Sequence, residues 1–339
     1  MSDLTTHPKE IQKAILRDIR LRLLEVESAT KAELMEKLGV SFPTISKFMS
    51  QMEKDEEIIL AGMDESSGGR RAKRYTYNPE YKLGLAIFLE KMETHYTIFN
   101  CKGEIKEQGI TSSVLTEDLD GLTNQVGDII SRYPKIRSAS IGVPGVVDHG
   151  RILYIPGYEQ FQNVDVKSYL EEKLPVSVVV ENDMNAAVLG YQYTKRRQEQ
   201  SSLIYLYFGQ NGPGSGILIN GELVRGSTFF SGEVSFIPLY DDRNFQQAMS
   251  LGGELSQELI QSQKVDAISR LVAAYTAIVN PHTIIFCQDE VSGDMLSQIA
   301  ARTATYIPVE NLPELTASDW TQDYLFGLQT LGIRNMVSQ

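Results

Sequence analysis

The sequence predicts a mixed α/β protein in two unlike parts, a winged helix-turn-helix followed by a much larger α/β body. Three observations carry that reading. Apolar residues recur at helical spacing between Ile11 and Met52. A strand, a Ser/Gly-rich basic tip and a second strand follow in "EEIILAGMDESSGGRRAKRYTYN". From Tyr81 onward, strand-like runs alternate with helical ones, as α/β architecture requires. At 339 residues the chain exceeds one ordinary domain, and 42% apolar content gives it ample core.

Ile11, Ile15, Ile19 and Leu23 fall at four-residue intervals and predict a first amphipathic helix. Thr30 and Glu33 form a capping-box pair ahead of a helix over 31–38, which Gly39 stops. Ser41 is placed to cap the next helix, with Pro43 early in it, where a missing N–H costs little. In that helix Ile45, Phe48, Met49 and Met52 share one face and should be buried. The other face carries Thr44, Ser46, Lys47, Ser50, Gln51 and Lys54, with no acid before Glu53. Short polar groups and amines suit phosphates and base edges.

Two short helices joined by a tight glycine turn make a helix-turn-helix, and a basic hairpin after them makes a wing. Arg70, Arg71, Lys73 and Arg74 on that hairpin would reach backbone phosphate or the minor groove. The candidate DNA contacts are therefore Ser41, Thr44, Ser46, Lys47, Ser50, Gln51, Arg70, Arg71 and Lys73, with double-stranded DNA as the partner. A small helical bundle that docks on another protein, trailed by a solvated loop, is the plainer reading of the same pattern.

The net charge of −12 argues against a nucleic-acid binder only if it is evenly spread, and it is not. Residues 1–80 hold 13 Lys and Arg against 14 Asp and Glu, so the acidity belongs to the later part and a basic face near the N-terminus is possible. No run of 18 apolar residues occurs, and no apolar stretch follows the start "MSDLTTHPKE". Cys101 and Cys287 are far apart, and with four scattered histidines they leave no metal-ligand spacing. The expectation is a cytoplasmic protein with no membrane contact, no cofactor and no metal.

In the body, "PVSVVVENDMNAAVLGY" is an apolar strand that delivers Glu181, Asn182 and Asp183 to the start of a helix. A carboxylate beside an amide at a strand's carboxyl end is where open α/β sheets bind small polar ligands. "SASIGVPGVVDHG" is a strand entering a Gly-Pro-Gly loop at Gly142–Gly145. "SLIYLYFGQNGPGSGILINGELV" is two strands around a glycine-rich loop, hence a hairpin and not a P-loop or dinucleotide fingerprint. "FSGEVSF" places Glu233 beside Gly232, and "YTAIVNPHTIIFC" is a helix stopped at Pro281, then a buried strand.

This order of segments resembles the ROK family of repressors, open reading frames and sugar kinases. In the first part the resemblance rests on "ELMEKLGVSFPTISKFMSQME" and "GGRRAKRY". In the second it rests on "IGVPGVVDHG", "VENDMNAA", "GILINGELVRG" and "SGEV". It implies a two-lobed body with the actin-type ATPase, sugar-kinase-like fold. The expected domains are 1–79 for the winged helix, 80–190 for the first lobe completed by a C-terminal helix over 318–339, and 191–317 for the second lobe. It also implies a sugar site at Gly145, Asn182, Asp183 and Glu233, with a sugar or sugar derivative as effector and a homodimer or tetramer as the assembly. In family kinases the residue matching Asp183 is the base that activates the acceptor hydroxyl; here it can hold a ligand, cap the helix beginning near Met184, or both.

The departures from the family pattern separate regulator from enzyme. Where family kinases carry an Asp-X-Gly-X-Thr turn, "GLAIFLEKM" offers Ala86, Phe88 and Glu90. Pro213 removes a backbone donor from the second phosphate loop, and Cys287 and Gln288 stand where glycines are usual near the adenosine. Phe236 replaces the histidine of the family's zinc element, and no cysteine lies between Cys101 and Cys287. Tyr158 and Phe161 offer either a stacking face or core. The expectation is a sugar-responsive regulator, a repressor, with Asp183 a relic of the kinase base. A sugar kinase with an unusual nucleotide site and a regulator that has lost its effector are the rivals.

Overall fold

The computed structural model describes residues 8–64, 71–116, 118–195, 200–209, 212–250 and 257–339. The chain opens with α1 (Pro8–Glu25), β1 (Ala29–Thr30), α2 (Lys31–Leu38) and α3 (Phe42–Lys54). Thr30 and Glu33 close the capping box in both directions, and Gly39 ends α2 at a φ of 64°. Ser41 sits at the N-cap of α3 but bonds the Thr44 hydroxyl instead of a backbone N–H. Strands β2 (Ile58–Met63) and β3 (Lys73–Tyr77) form the antiparallel wing, with β1 on the outer side of β3. Ile19, Leu23, Ile45, Met49 and Met52 are buried, whereas Phe48 is only partly so. Ile11 is a correction to the helical pattern: it is 48% exposed, because α1 begins packing only further along its length.

The body starts with β4 (Leu83–Leu89), β5 (Glu93–Asn100) and β6 (Ile105–Ser112), an antiparallel meander. Helix α4 (Leu119–Arg132) leads to β7 (Ile136–Val143), parallel to β4. Short strands β8 (Val146–Asp148), β9 (Arg151–Tyr154) and β10 (Val164–Asp165) form a small sheet before α5 (Val166–Lys173). Strand β11 (Ser177–Asn182) then pairs parallel with β7, and α6 (Asp183–Thr194) follows without a linker.

Strands β12 (Leu203–Tyr207), β13 (Gly214–Ile219) and β14 (Glu222–Leu223) form a second meander. The ribbon β15 (Pro238–Tyr240) and β16 (Arg243–Asn244), then α7 (Phe245–Met249) and α8 (Gln257–Val279), lead to β17 (Thr283–Cys287). Helix α9 (Gly293–Thr303), β18 (Glu314–Ser318) and α10 (Trp320–Ser338) complete the chain. The sheet orders are β11-β7-β4-β5-β6 and β14-β13-β12-β17-β18. Each is an antiparallel meander extended by two parallel strands, so one topology is used twice. Fully buried β4 and β17 are interior strands covered on both faces.

Helices α6 and α10 pack together between the sheets, and α10 also lies across β4, β7 and β11. They touch backbone to backbone. A Cβ added to Gly190 would collide with the carbonyl of Asp323, and one added to Gly327 with that of Ala186. The far end of α10 meets the winged helix. Arg20 of α1 donates to Glu57 at 2.5 Å and to the carbonyl of Val337 at 3.3 Å, and Lys82 donates to that of Met336 at 3.2 Å. One apolar core runs without a break from Ile19 and Leu23 to Leu328 and Met336. Both cysteines are buried, and burial raises the Cys101 thiol to about 11, so it is not a reactive thiol. No described helix is long and apolar enough to cross a membrane.

Candidate functional site

A cleft opens at the carboxyl ends of β7 and β11, facing the β12–β13 hairpin, and Gly145, Asn182, Asp183 and Glu233 all line it. Their geometry follows from the end of β11. Asn182 caps α6: its side-chain oxygen accepts from the Asn185 N–H at 2.9 Å, while its amide donates to the Gly145 carbonyl at 3.0 Å and to Asp183 Oδ1 at 2.9 Å. The capping role considered for Asp183 thus belongs to its neighbour. Asp183 Oδ1 also accepts from the Met184 N–H at 2.8 Å, and Oδ2 has no hydrogen-bond partner among the described residues. Glu233, just after Gly232, has no side-chain partner among them at all.

Two carboxyls therefore face one cleft with few internal partners. Burial pushes Asp183 up from 3.8 to about 7, against its backbone bonds, and the nearby charge of Glu233 adds to the rise. Burial also raises Glu233. Glu181 behind them is buried and committed: it accepts from Asn185 Nδ2 at 3.0 Å and pairs with Arg225 at 2.5 Å. Such a floor can accept hydrogen bonds from vicinal hydroxyls at fixed spacing. Of the aromatic residues in doubt, Tyr158 and Phe161 belong to the core beneath the first sheet and offer no stacking face. Phe236 lines the cleft and is 52% exposed.

Beyond Pro213 the cleft changes character. Ala86 and Phe88 are buried in β4; Phe88 stacks on His95 with centroids 4.5 Å apart and lies 5.2 Å from Tyr324. Tyr207 stacks on Trp320 at 4.4 Å, nearly parallel. Both oxygens of Glu290 accept from the Phe208 N–H, at 3.0 and 2.9 Å, so this carboxylate occupies a backbone donor of the hairpin loop. Burial raises Glu290 to about 7 and also raises Glu90. Cys287 is buried at the end of β17, and Pro213 uses its carbonyl on the Ser235 hydroxyl.

On the winged helix, Ser41, Lys47, Ser50 and Gln51 are exposed, and Thr44 and Ser46 are partly buried. Gln51 is tied to Asp55 one turn on at 2.8 Å, and Lys31 of α2 donates to Ser46 at 3.1 Å and Ser50 at 3.4 Å. Lys73 is exposed, 3.8 Å from Glu53, and Arg71 is exposed. Arg70 lies outside the described residues. Arg74 stands on the hairpin as expected, but its guanidinium is already committed: it is bonded to Glu33, Asp64 and the Ser28 carbonyl at 2.9 to 3.0 Å.

The model of the ROK family matches residues 89–244. Those residues form a ROK family domain. The xylose repressor of Bacillus spizizenii is 27% identical over 275 residues, 78% of this chain and 68% of that protein. Among solved structures, a ROK family transcriptional regulator described as a homologue of the Escherichia coli Mlc protein superposes with a TM-score of 0.77. It covers 96% of this chain and 98% of its own at 15% identity. A putative N-acetylmannosamine kinase from Listeria monocytogenes covers 73% of this chain and 97% of its own, with a TM-score of 0.63 and 18% identity. The fold is that of a winged helix followed by a ROK body of the actin-type, sugar-kinase-like class.

Within the ROK frame, several functional candidates left no local mark in the sequence. Arg225 reaches Glu181 across 44 positions and Glu290 reaches Phe208 across 82. The Tyr324 hydroxyl is buried with no hydrogen-bond partner among the described residues, its pKa raised by that burial and then by the charge of Asp183. The β4–β5 turn brings donor atoms of Glu90, Glu93 and His95 within 4.8 Å of one another, a grouping that the search for cysteine and histidine spacing overlooked.

Proposed function

We propose that this chain is a sugar-responsive DNA-binding transcription regulator, a repressor, whose ROK body senses its ligand without turning it over. The observation that supports this most directly is the contrast within the cleft. Asp183 Oδ2 and the Glu233 carboxyl have no internal partner among the described residues, whereas on the side that takes nucleotide in family kinases Glu290 takes the Phe208 N–H, and Phe88 and Tyr207 stack on His95 and Trp320. The relation to xylose repressors points to a pentose or related sugar as the effector class. Gly145, Asn182, Asp183 and Glu233 would hold it; Ser41, Thr44, Ser46, Lys47, Ser50, Gln51, Arg70, Arg71 and Lys73 would meet DNA. Paired heads in a homodimer or tetramer fit an operator with two half-sites. Control needs only differential affinity of the sugar for two inter-lobe geometries.

The test is a thermal shift of the intact protein against pentoses, hexoses, amino sugars, sugar phosphates and Mg-ATP, repeated on Asp183→Ala. A ligand at 100 times its Kd adds about 2.7 kcal/mol. One sugar class should stabilise the wild type, fail on the variant, and release the protein from duplex selected out of a random pool. Stabilisation by no sugar would overturn the effector reading. A second reading, a sugar kinase, is favoured by one feature: Asp183 near 7 is suited to a general base. Turnover of labelled ATP with the same panel would establish it.

A further inference from the structure

The polar floor of the cleft is overhung by an aromatic lip that a single sugar ring does not need. Phe236 is 52% and Phe230 47% exposed, and their rings lie 5.3 Å apart at 47°. Phe229 joins them from a backbone φ of 61°, a region that bulky residues rarely adopt and that recurs at ligand clamps. Its ring meets the His149 imidazole edge-on at 5.5 Å, bringing the loop after β8 against the loop after β14. Tyr154, 39% exposed, lines the cleft from the opposite side. Clustered exposed aromatic rings mark contact surfaces, and their faces take aryl groups or the C–H face of a second sugar. A phenyl ring at position 236 can neither donate nor accept a hydrogen bond, so it adds nothing to the hold on a lone sugar's hydroxyls.

We infer that the cleft is shaped for a glycoside larger than one ring, an oligosaccharide or aryl glycoside. Its terminal sugar sits on Asn182, Asp183 and Glu233, and its second, apolar-faced group lies on Phe230 and Phe236. This deepens the sugar-binding reading above and rests on it. The competing use of two exposed phenyl rings is contact with a second copy of the chain.

Isothermal titration of the full chain separates these outcomes, with xylose, methyl xyloside, 4-nitrophenyl xyloside and xylobiose, and with glucose and its matching derivatives. Phe236→His and Phe230→Ser are titrated beside the wild type, with sedimentation velocity on all three. The wild type should bind the aryl glycoside or disaccharide about tenfold more tightly than the methyl glycoside, and either substitution should cut that ratio to about twofold. Equal affinity for methyl and aryl glycosides in the wild type, or a ratio that survives both substitutions, would overturn the inference and leave the sugar site standing. A smaller sedimenting species with unchanged selectivity would overturn it in favour of a subunit contact. Failure of every sugar and glycoside to bind would remove the underlying reading as well.

Discussion

The two sides of the cleft are built from equally buried material and differ in what their polar groups already hold. On the side of Asn182 and Asp183, oxygens of Asp183 and Glu233 face the opening without a hydrogen-bond donor among the described residues. On the side of Phe208 and Glu290 a carboxylate takes the loop N–H beside a second opening, and Phe88 and Tyr207 are stacked on His95 and Trp320. Burial alone therefore does not decide which half receives a ligand. A site stays receptive where the chain leaves desolvated groups unsatisfied, and loses its polar handles where it satisfies them itself.

Helices α6 and α10 are common to both sides, so disturbing them gives the largest effect. Gly327→Ala forces a Cβ against the Ala186 carbonyl, which only separation of the helices relieves, and should cost about 3 kcal/mol in urea unfolding. Asp183→Ala acts on the open side alone: sugar affinity should fall by about 1.5 to 3 kcal/mol, a factor of roughly 10 to 150 by titration. On the other side, Glu290→Ala strands the Phe208 N–H and should cost about 1 to 2 kcal/mol of stability. Neither wild type nor this variant should gain stability from Mg-ATP.

A pH series sharpens the same contrast. The Asp183 carboxyl sits near 7 when folded against 3.8 ordinarily, so the folded chain holds the extra proton between those values. Stability should fall as pH rises from about 4 to 7, with the penalty complete above that window and absent below it. Glu290, raised from 4.5 to about 7, contributes with the same sign. Asp183→Asn should raise the melting temperature at pH 8 and leave it nearly unchanged at pH 4. The smallest effect lies outside the cleft: Lys47→Ala should lower the salt slope of DNA binding by about 0.9 while leaving stability within about 0.5 kcal/mol.

What could be read from the sequence was what local rules govern. The Thr30–Glu33 box, the Gly39 stop, the β12–β13 hairpin and the strand-to-helix step at Asn182 each depend on residues within a few positions. What escaped was set by partners brought together by the fold. Arg74 looked like one more cation of a basic wing, but Glu33 and Asp64 converge on it from 41 and 10 positions away. Ile11 fitted the helical period and yet is 48% exposed. Phe236 stood out as a missing histidine, while the company it keeps with Phe230 and Phe229 depends on a loop conformation that no periodicity records.

Helix α10 starts at Trp320 and Tyr324, packed on each other and buried, and ends at Met336 and Val337, whose carbonyls are held by Lys82 and Arg20 beside the winged helix. Its 19 residues make a rod about 28 Å long, and the glycine contact with α6 keeps the two from sliding past each other. A rod held at its middle and gripped at its end converts small rotations into displacements. Pivoting at Gly327, a tilt of about 5° would carry the far end through about 1.4 Å over the roughly 16 Å beyond it. Two heads moving in opposite senses would then shift against each other by about 3 Å, close to the 3.4 Å step between stacked base pairs. On the proposed function, the mechanical link between sugar pocket and DNA face would be this single stiff rod, with Arg20 as its grip.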